Sequence, residues 1–241
     1  MIRRPPFAAL ILATMLAGCA AQVAKLEPGK GAPKELSEKG LWLASHKAEQ
    51  NAAMSGRRIS NPDLERYISD VKCRVSADYC PEIRVYTMQI PDFNASMAPN
   101  GFEQVWTGLL LRVENEAQLA TVLAHETAHY VLRHTLERFK TTRRTANLLL
   151  ATQFGLLFGG VGVVSAGPVA FSAGDIGQLI AQGYLAAYSR EQEAEADQNG
   201  FELMTEAGYA PTEAAKVWAN LIEEQRECDL PTPPALFASH P

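Results

Sequence analysis

Ala124-His125-Glu126-Thr127-Ala128-His129 has the form H-E-x-x-H. These are residue types that hold a metal ion and move a proton. On an α-helix, residues i and i+4 lie one turn apart on the same face. His125 and His129 can therefore aim two imidazoles at one point, as a bound zinc ion requires. Glu126 is rotated by roughly 100° from His125, which sets its carboxylate beside such an ion, in reach of a proton on bound water. Helices also hold two histidines and a glutamate for ordinary reasons. The metal reading needs a helix, burial of that helix, and a third ligand from elsewhere.

The local sequence supplies the helix. Asn115 can cap its start and Gln118, three residues on, can return the bond. Glu116 suits the positive end of the dipole, and Arg138, Lys140, Arg143 and Arg144 suit the other end. This predicts one long helix with both histidines in its middle. Leu119, Val122, Leu123, Ala128, Val131 and Leu132 give it apolar faces, so the imidazoles and the carboxylate would be buried at a cost that a metal removes. The third ligand comes from residues 184–201, a helical pattern dense in acids in which Glu193 and Asp197 share a face. A solvated acidic face is the ordinary reading of such a stretch. Beside a two-histidine helix it offers a carboxylate, and two imidazoles with one carboxylate leave a fourth position open for catalysis. His134 does not fit the longer H-E-x-x-H-x-x-G-x-x-H form, because Leu132 replaces the glycine and Thr135 the third histidine. It reads as a residue behind the ligands or a structural one. His46, among polar neighbours, reads as a surface residue with no role.

The remaining elements must position these groups. The chain has 241 residues, 47% hydrophobic and 20% charged, which fits one well-cored domain. A net charge of -5 gives no sign of a nucleic-acid partner. Arg3 and Arg4, then an apolar run over residues 7–16 too short to span a bilayer, form a secretory signal. Its end, Leu16-Ala17-Gly18-Cys19, resembles the lipobox of bacterial lipoproteins. That resemblance implies cleavage after residue 18 and acylation of Cys19. Ala20 stands where an aspartate would favour the inner membrane, so the implied address is the outer membrane, with the domain facing the periplasm. An ordinary signal peptide cut nearby is the alternative. Residues 19–40, with Pro28, Gly29, Gly31 and Pro33, read as a flexible lipid-anchored tether, and residues 41–241 as the domain.

Within the domain, residues 41–75 follow a helical pattern, with Asn61-Pro62 as cap and first helical position. Cys73 and Cys80, seven apart, read as a disulfide in an exported protein, with two reduced thiols as the alternative. Cys228 is left over, either free or the true partner of one of them. Residues 82–88 alternate as a half-buried strand, and residues 102–107 return as a second after the turn signal Asn100-Gly101. Together they predict a small antiparallel sheet. An exposed edge could accept an extended peptide, although a structural hairpin is the plainer reading. Residues 147–171 carry no charge and are long enough to span a membrane, but six Gly and Pro positions from Gly155 to Pro168 break them into short pieces. They are expected to form a partly buried loop or short helices that cover the site or touch a membrane.

Taken jointly, these residues resemble zinc metallopeptidase family forty-eight, the HtpX-like gluzincins. The resemblance rests on Asn94-Ala95 with Pro99-Asn100-Gly101, Gly108-Leu109-Leu110, His125 to His129, Ser189-Arg190, Glu193-x-x-x-Asp197 and terminal Ser239-His240-Pro241, in family order. It implies an α+β, mostly helical, zincin-like domain. It implies one zinc per chain on His125, His129 and Glu193, with Glu126 as general base. It implies that Asp197 orients a ligand histidine or pairs with Arg190. The strand near Asn94, Ala95, Asn100 and Gly101 would take substrate as an added strand. His240 would map to a latency histidine at the fourth zinc position. The implied activity is endoproteolysis of unfolded or misfolded envelope proteins by an anchored enzyme, with an envelope assembly machinery as a partner. A non-proteolytic chaperone or adaptor that uses the same groove is the rival.

Overall fold

The structure, a computed structural model, describes residues 23–144 and 188–227. Cys19, the apolar stretch 147–171, Cys228 and His240 lie outside the described residues. In chain order the elements are α1 (Leu36–Met54), α2 (Pro62–Val75), a 3-10 turn (Ala77–Glu82), β1 (Arg84–Met88), β2 (Ala95–Met97), β3 (Phe102–Trp106), α3 (Thr107–Leu110), α4 (Glu116–Leu132), α5 (residues 134–144), α6 (Arg190–Glu206) and α7 (Thr212–Glu227). The domain is mostly helical, with one small sheet.

Helix α4 is the axis. Helices α2, α6 and α7 and strand β2 pack around it. Ile68, Val71 and Val75 of α2, Ala95 and Val105 of the sheet, Leu119, Val122 and Leu123 of α4, Met204 of α6, and Val217 and Leu221 of α7 form one core. Each Val, Leu, Ile or Met among them contributes about 1.5–3 kcal/mol when fully buried. The α4 start is capped by Asn115, whose side chain accepts from the Gln118 amide. Gln118 returns its bond one residue earlier than a capping box would, accepting from the Glu114 amide at 3.0 Å.

The long helix expected through residue 144 is broken. Helix α4 stops at Leu132, Arg133 is left-handed at φ 59°, and α5 begins at His134. A non-glycine residue resists that conformation by about 1–2 kcal/mol. The amide of Arg133 bonds back to His129 and Tyr130 carbonyls, and its guanidinium lies 3.6 Å from Glu38 of α1. Those contacts hold the break.

The sheet also differs from the expectation: it is mixed. Its order is β1-β3-β2, with β1 parallel to β3 and β2 antiparallel to β3. The Asn100-Gly101 turn does join an antiparallel pair, but the pair is β2 and β3. The partner strand, only three residues long, lies in a stretch too short to alternate visibly. Gly101 sits at φ 82°, and a Cβ there would lie 2.2 Å from the Glu82 carbonyl oxygen, so the turn needs glycine.

Residues 23–35, which composition assigns to a tether, lie against the domain. The Leu26 amide donates to the Val131 carbonyl at 2.8 Å, and the Tyr79 hydroxyl donates to the Leu26 carbonyl at 2.7 Å. Leu26 is buried with Met97 and Tyr130. One apolar side chain and its main-chain bonds outweigh the spacer composition around it. Cys73 and Cys80 are joined by a disulfide that ties the end of α2 to the 3-10 turn.

Beneath α4 lies a buried ion pair. Lys72 of α2 donates to Glu103 of β3 at 2.9 Å and to the Leu123 carbonyl of α4 at 2.9 Å. Both side chains are fully inside the protein. Burial pushes the Glu103 carboxyl up to about 7, against the pull of Lys72. Lys72→Met strands the acid and is expected to cost about 3–5 kcal/mol at pH 8. The sign of the pH effect follows from the raised pKa. Stability tied to a protonated Glu103 is present below its ordinary value of 4.5 and is lost as pH rises through about 7. Without Lys72 nothing pulls the carboxyl back down, so the variant goes on losing stability at pH above about 7 where the wild type no longer does, and the deficit of Lys72→Met is smaller at pH 5 than at pH 8. Adding Glu103→Leu recovers most of it. Urea unfolding of the single and double variants at both pH values checks this.

Candidate metal centre

The centre is assembled by two helices that are distant in sequence. Helix α4 carries His125, Glu126 and His129, all buried. Helix α6 starts at a Ser189 cap, whose side chain pairs with Gln192 in a capping box. Its inward face is Glu193, Ala196, Gly200 and Met204, a helical spacing of three, four and four. A Cβ on Gly200 would lie 2.9 Å from both the Cα and the N of His125. Only glycine lets α6 approach α4 this closely, and two turns earlier the same approach delivers Glu193.

The ligand atoms converge. His125 Nε2 and His129 Nε2 are 3.0 Å apart. Glu193 Oε2 is 3.4 Å from His125 Nε2, and its Oε1 is 3.7 Å from His129 Nε2. Among the described residues these three make the one cluster of three or more side chains with metal-ligating geometry. Bonds of about 2.0–2.2 Å to a tetrahedral ion put ligand atoms roughly 3.3 Å apart. The observed separations bracket that edge.

The outer hydrogen bonds fix the imidazole tautomers. His125 Nδ1 lies 2.9 Å from Asp197 Oδ1, so its N–H points at the carboxylate and the Nε2 lone pair faces the cluster. His129 Nδ1 lies 2.9 Å from His134 Nδ1, and His134 Nε2 lies 3.3 Å from Glu195 Oε2. The arrangement that satisfies this chain has His129 donating to His134 and His134 donating to Glu195. Burial holds His134 below the usual histidine range, consistent with the neutral ring the relay needs. Two Nε2 lone pairs then face each other at 3.0 Å. They repel unless a proton or a metal ion lies between them; a proton on His125 makes one hydrogen bond to His129, and a shared metal makes two bonds.

The field of the site also favours a cation. Burial alone would push His125 down, but hydrogen bonds to Asp197 and Glu193 and the charge of Glu126 drive it up to about 10. A divalent ion meets the same three carboxylates. The donor set and the spacing thus fit a metal ion.

Several residues at the centre carried no readable signal. Tyr188 stacks on His129, with ring centroids 4.0 Å apart and planes 17° apart. Its hydroxyl is 2.9 Å from Thr135 Oγ1, and burial pushes the phenol up to about 12, so it stays neutral. Trp218 of α7 meets His125 edge-on at 6.3 Å. Glu195 enters only because the break at Arg133 turns His134 back toward His129. The i+5 spacing of His134 does not predict that contact on a straight helix.

The other expected residues fall as follows. Asp197 bonds His125. Arg190 is exposed at the first position of α6 and makes no ion pair with Asp197 among the described residues. Ala95 lies in the edge strand β2 and Asn94 just before it, with the Asn94 carbonyl accepting from the Trp106 amide. Asn100 and Gly101 form the β2–β3 turn, where the Asn100 side chain donates to Glu49 at 3.0 Å. Met97, Ala98 and Pro99 share a small cavity with His129 and Tyr130, which sets the edge strand beside the centre.

Known proteins share sequence with the chain. The family model "Peptidase family M48" matches residues 58–241. The chain is similar to the putative beta-barrel assembly-enhancing protease of Vibrio cholerae, 28% identical over 186 residues, covering 76% of this chain and 37% of that protein. It is similar to the beta-barrel assembly-enhancing protease of Escherichia coli, 26% identical over 189 residues, covering 76% and 37%. It is similar to the mitochondrial metalloendopeptidase OMA1 of Saccharomyces cerevisiae, 33% identical over 150 residues, covering 61% and 38%. The aligned part thus spans well under half the length of each of these relatives. The family match takes in β1 to β3, the H-E-x-x-H helix and the three helices α2, α6 and α7 that pack around it, and the chain belongs to peptidase family M48.

Proposed function

We propose that the chain is a zinc-dependent endopeptidase of the bacterial cell envelope, anchored through Cys19 in the outer membrane with its domain in the periplasm. One observation carries the catalytic reading: the convergence of His125, His129 and Glu193, with Glu126 buried beside His125 on the same helix. Two imidazoles and one carboxylate are a catalytic zinc set. When bound, zinc polarises the scissile carbonyl and acidifies the attacking water.

The chain's own groups do the rest. Glu126 takes the proton from the attacking water and returns it to the leaving amine. Asp197 and the His134–Glu195 relay hold the two ligand rings in the required tautomer. Tyr188 fixes the plane of the His129 ring. Strand β2 is paired with β3 on one side and lies at the sheet edge beside His129, so an extended peptide can add to it by main-chain bonds. An extended, strand-adding substrate is an unfolded one, which supports misfolded envelope proteins as clients. The relatives named for beta-barrel assembly support an envelope setting and an assembly-machinery partner.

The expected metal content is about one zinc per chain, lost in His129→Ala and Glu193→Ala. Asp197→Ala and His134→Ala are expected to weaken zinc binding by roughly 10–100-fold. Gly200→Ala, by moving α6 off His125, is expected to weaken it comparably while the fold survives. Competition with a chelating dye reads all of these.

Glu126→Gln is expected to keep its zinc and lose about 10²–10⁴ of the cleavage rate on an unfolded protein such as casein. His240→Ala is expected to cleave at least as fast as wild type if His240 closes the fourth position. Should wild type and His240→Ala, both zinc-loaded, cleave no better than Glu126→Gln, a non-proteolytic chaperone or adaptor replaces this reading.

A further inference from the structure

We infer that the outer face of α1 lies along an anionic lipid surface, so that the domain rests on the membrane instead of standing off it on a tether. The inner face of α1 is accounted for. Leu41, Trp42 and Ala44 pack against Leu136 and Phe139 of α5. The outer face has no such partner among the described residues. Leu36, Leu43 and Met54 are 83%, 60% and 76% exposed. They are spaced seven and eleven residues apart, whole numbers of turns, and so fall on one stripe, in which exposed Lys47 and Gln50 stand between Leu43 and Met54. Over 18 residues the stripe is about 27 Å long.

The charges identify the occupant. The chain as a whole is acidic, at -5, yet the acids of α1 and its cap are turned to partners. Glu35 and Glu38 meet Lys140, and Glu49 meets Arg84. Exposed Lys39 and Lys47 are left along the stripe, and Arg57 lies just past its end. Exposed Leu and Met side chains interleaved with lysines match a bilayer interface with negative headgroups. A neutral protein groove would give the lysines nothing to meet.

The path of the chain adds a geometric reason, which rests on the acylation of Cys19 proposed above. Residues 23–35 are docked on the domain, and Val23 packs against the α1–α5 cluster. From Cys19 to Val23 is four residues, which reach at most about 14 Å. A helix is about 10 Å across, so that reach is enough to carry Cys19 past α1 to a bilayer on its outer face. With residues 23–35 docked on the domain, the leader left to bridge a gap to the membrane spans at most about 14 Å.

The test uses the full chain in vesicles of phosphatidylethanolamine and phosphatidylglycerol that carry a photo-reactive phospholipid, with adducts mapped by mass spectrometry. The mass of the N-terminal peptide reports Cys19 acylation separately. The expected result is adducts concentrated on residues 36–54. They should fall on the order of tenfold in Lys39→Glu/Lys47→Glu, and as far in Leu43→Glu/Met54→Glu. The thermal midpoint should not change, because these side chains are exposed. Phosphatidylcholine vesicles should lower the yield as the charge reversal does. Adducts elsewhere with α1 unlabelled, or labelling of α1 indifferent to both pairs of substitutions, overturn the inference. So do cross-links between two copies of α1 without lipid adducts, which would make the stripe a protein interface. Adducts on α1 of an unacylated chain keep the surface and remove the anchor.

Discussion

The centre depends on how closely two helices can approach. A carboxylate has to come within a few ångströms of two imidazoles that sit on a separate helix, and side-chain length alone does not close that gap. At Gly200 the backbone of α6 comes close enough to His125 that a single methyl group would collide with the main chain of α4. Ala196, the preceding inward residue, is small as well. From there the helical repeat brings Glu193 into the cluster and Asp197 to the outer nitrogen of His125. A metal ion at such a site closes a contact that core packing has already prepared, so much of the binding geometry is set before the ion arrives.

A second constraint acts on proton positions. Each ligand ring has one nitrogen committed outward, His125 to Asp197 and His129 to His134. The first partner is a neighbour one turn along α6 from Glu193. The second requires the chain to leave helical geometry at Arg133 and start again at His134. The strain of a left-handed arginine thus serves the centre directly, because it is what folds the His134 ring behind His129. Tyr188, next to the Ser189 cap of α6, reaches the same ring and stacks flat on it. The neutral phenol and neutral imidazole around His129 leave the carboxylates as the main local charges facing a cation.

What the sequence made legible, and what it did not, follows the range of the interactions. The periodicities of α2, α4, α6 and α7 are local, and the H-E-x-x-H spacing speaks for itself on a helix. The chemical argument that two imidazoles want a third ligand reached the acidic helix of Glu193 and Asp197, and the family resemblance picked Glu193 from it. The sheet was harder, because β2 is three residues long and too short to show alternation. Its pairing turned a supposed hairpin of the two longer strands into a parallel pair with an inserted edge. The break at Arg133 was illegible, since arginine carries no turn signal and the polar residues after it suited a continuing helix. The docking of residues 23–35 was hidden for a similar reason. A composition rich in Pro, Gly and Lys describes how a segment behaves when nothing holds it, and here Leu26 holds it.

That attachment has a mechanical side. The Leu26 amide is bonded to the Val131 carbonyl, two residues beyond His129 in the last turn of α4. Load applied to the chain at residue 23 is therefore not absorbed by a slack leader. It passes through the Leu26–Val131 main-chain bond into the end of the helix that bears both histidines, and through the Tyr79 hydroxyl into the 3-10 turn. The N-terminal strap is thereby coupled to the end of the helix on which the centre is built.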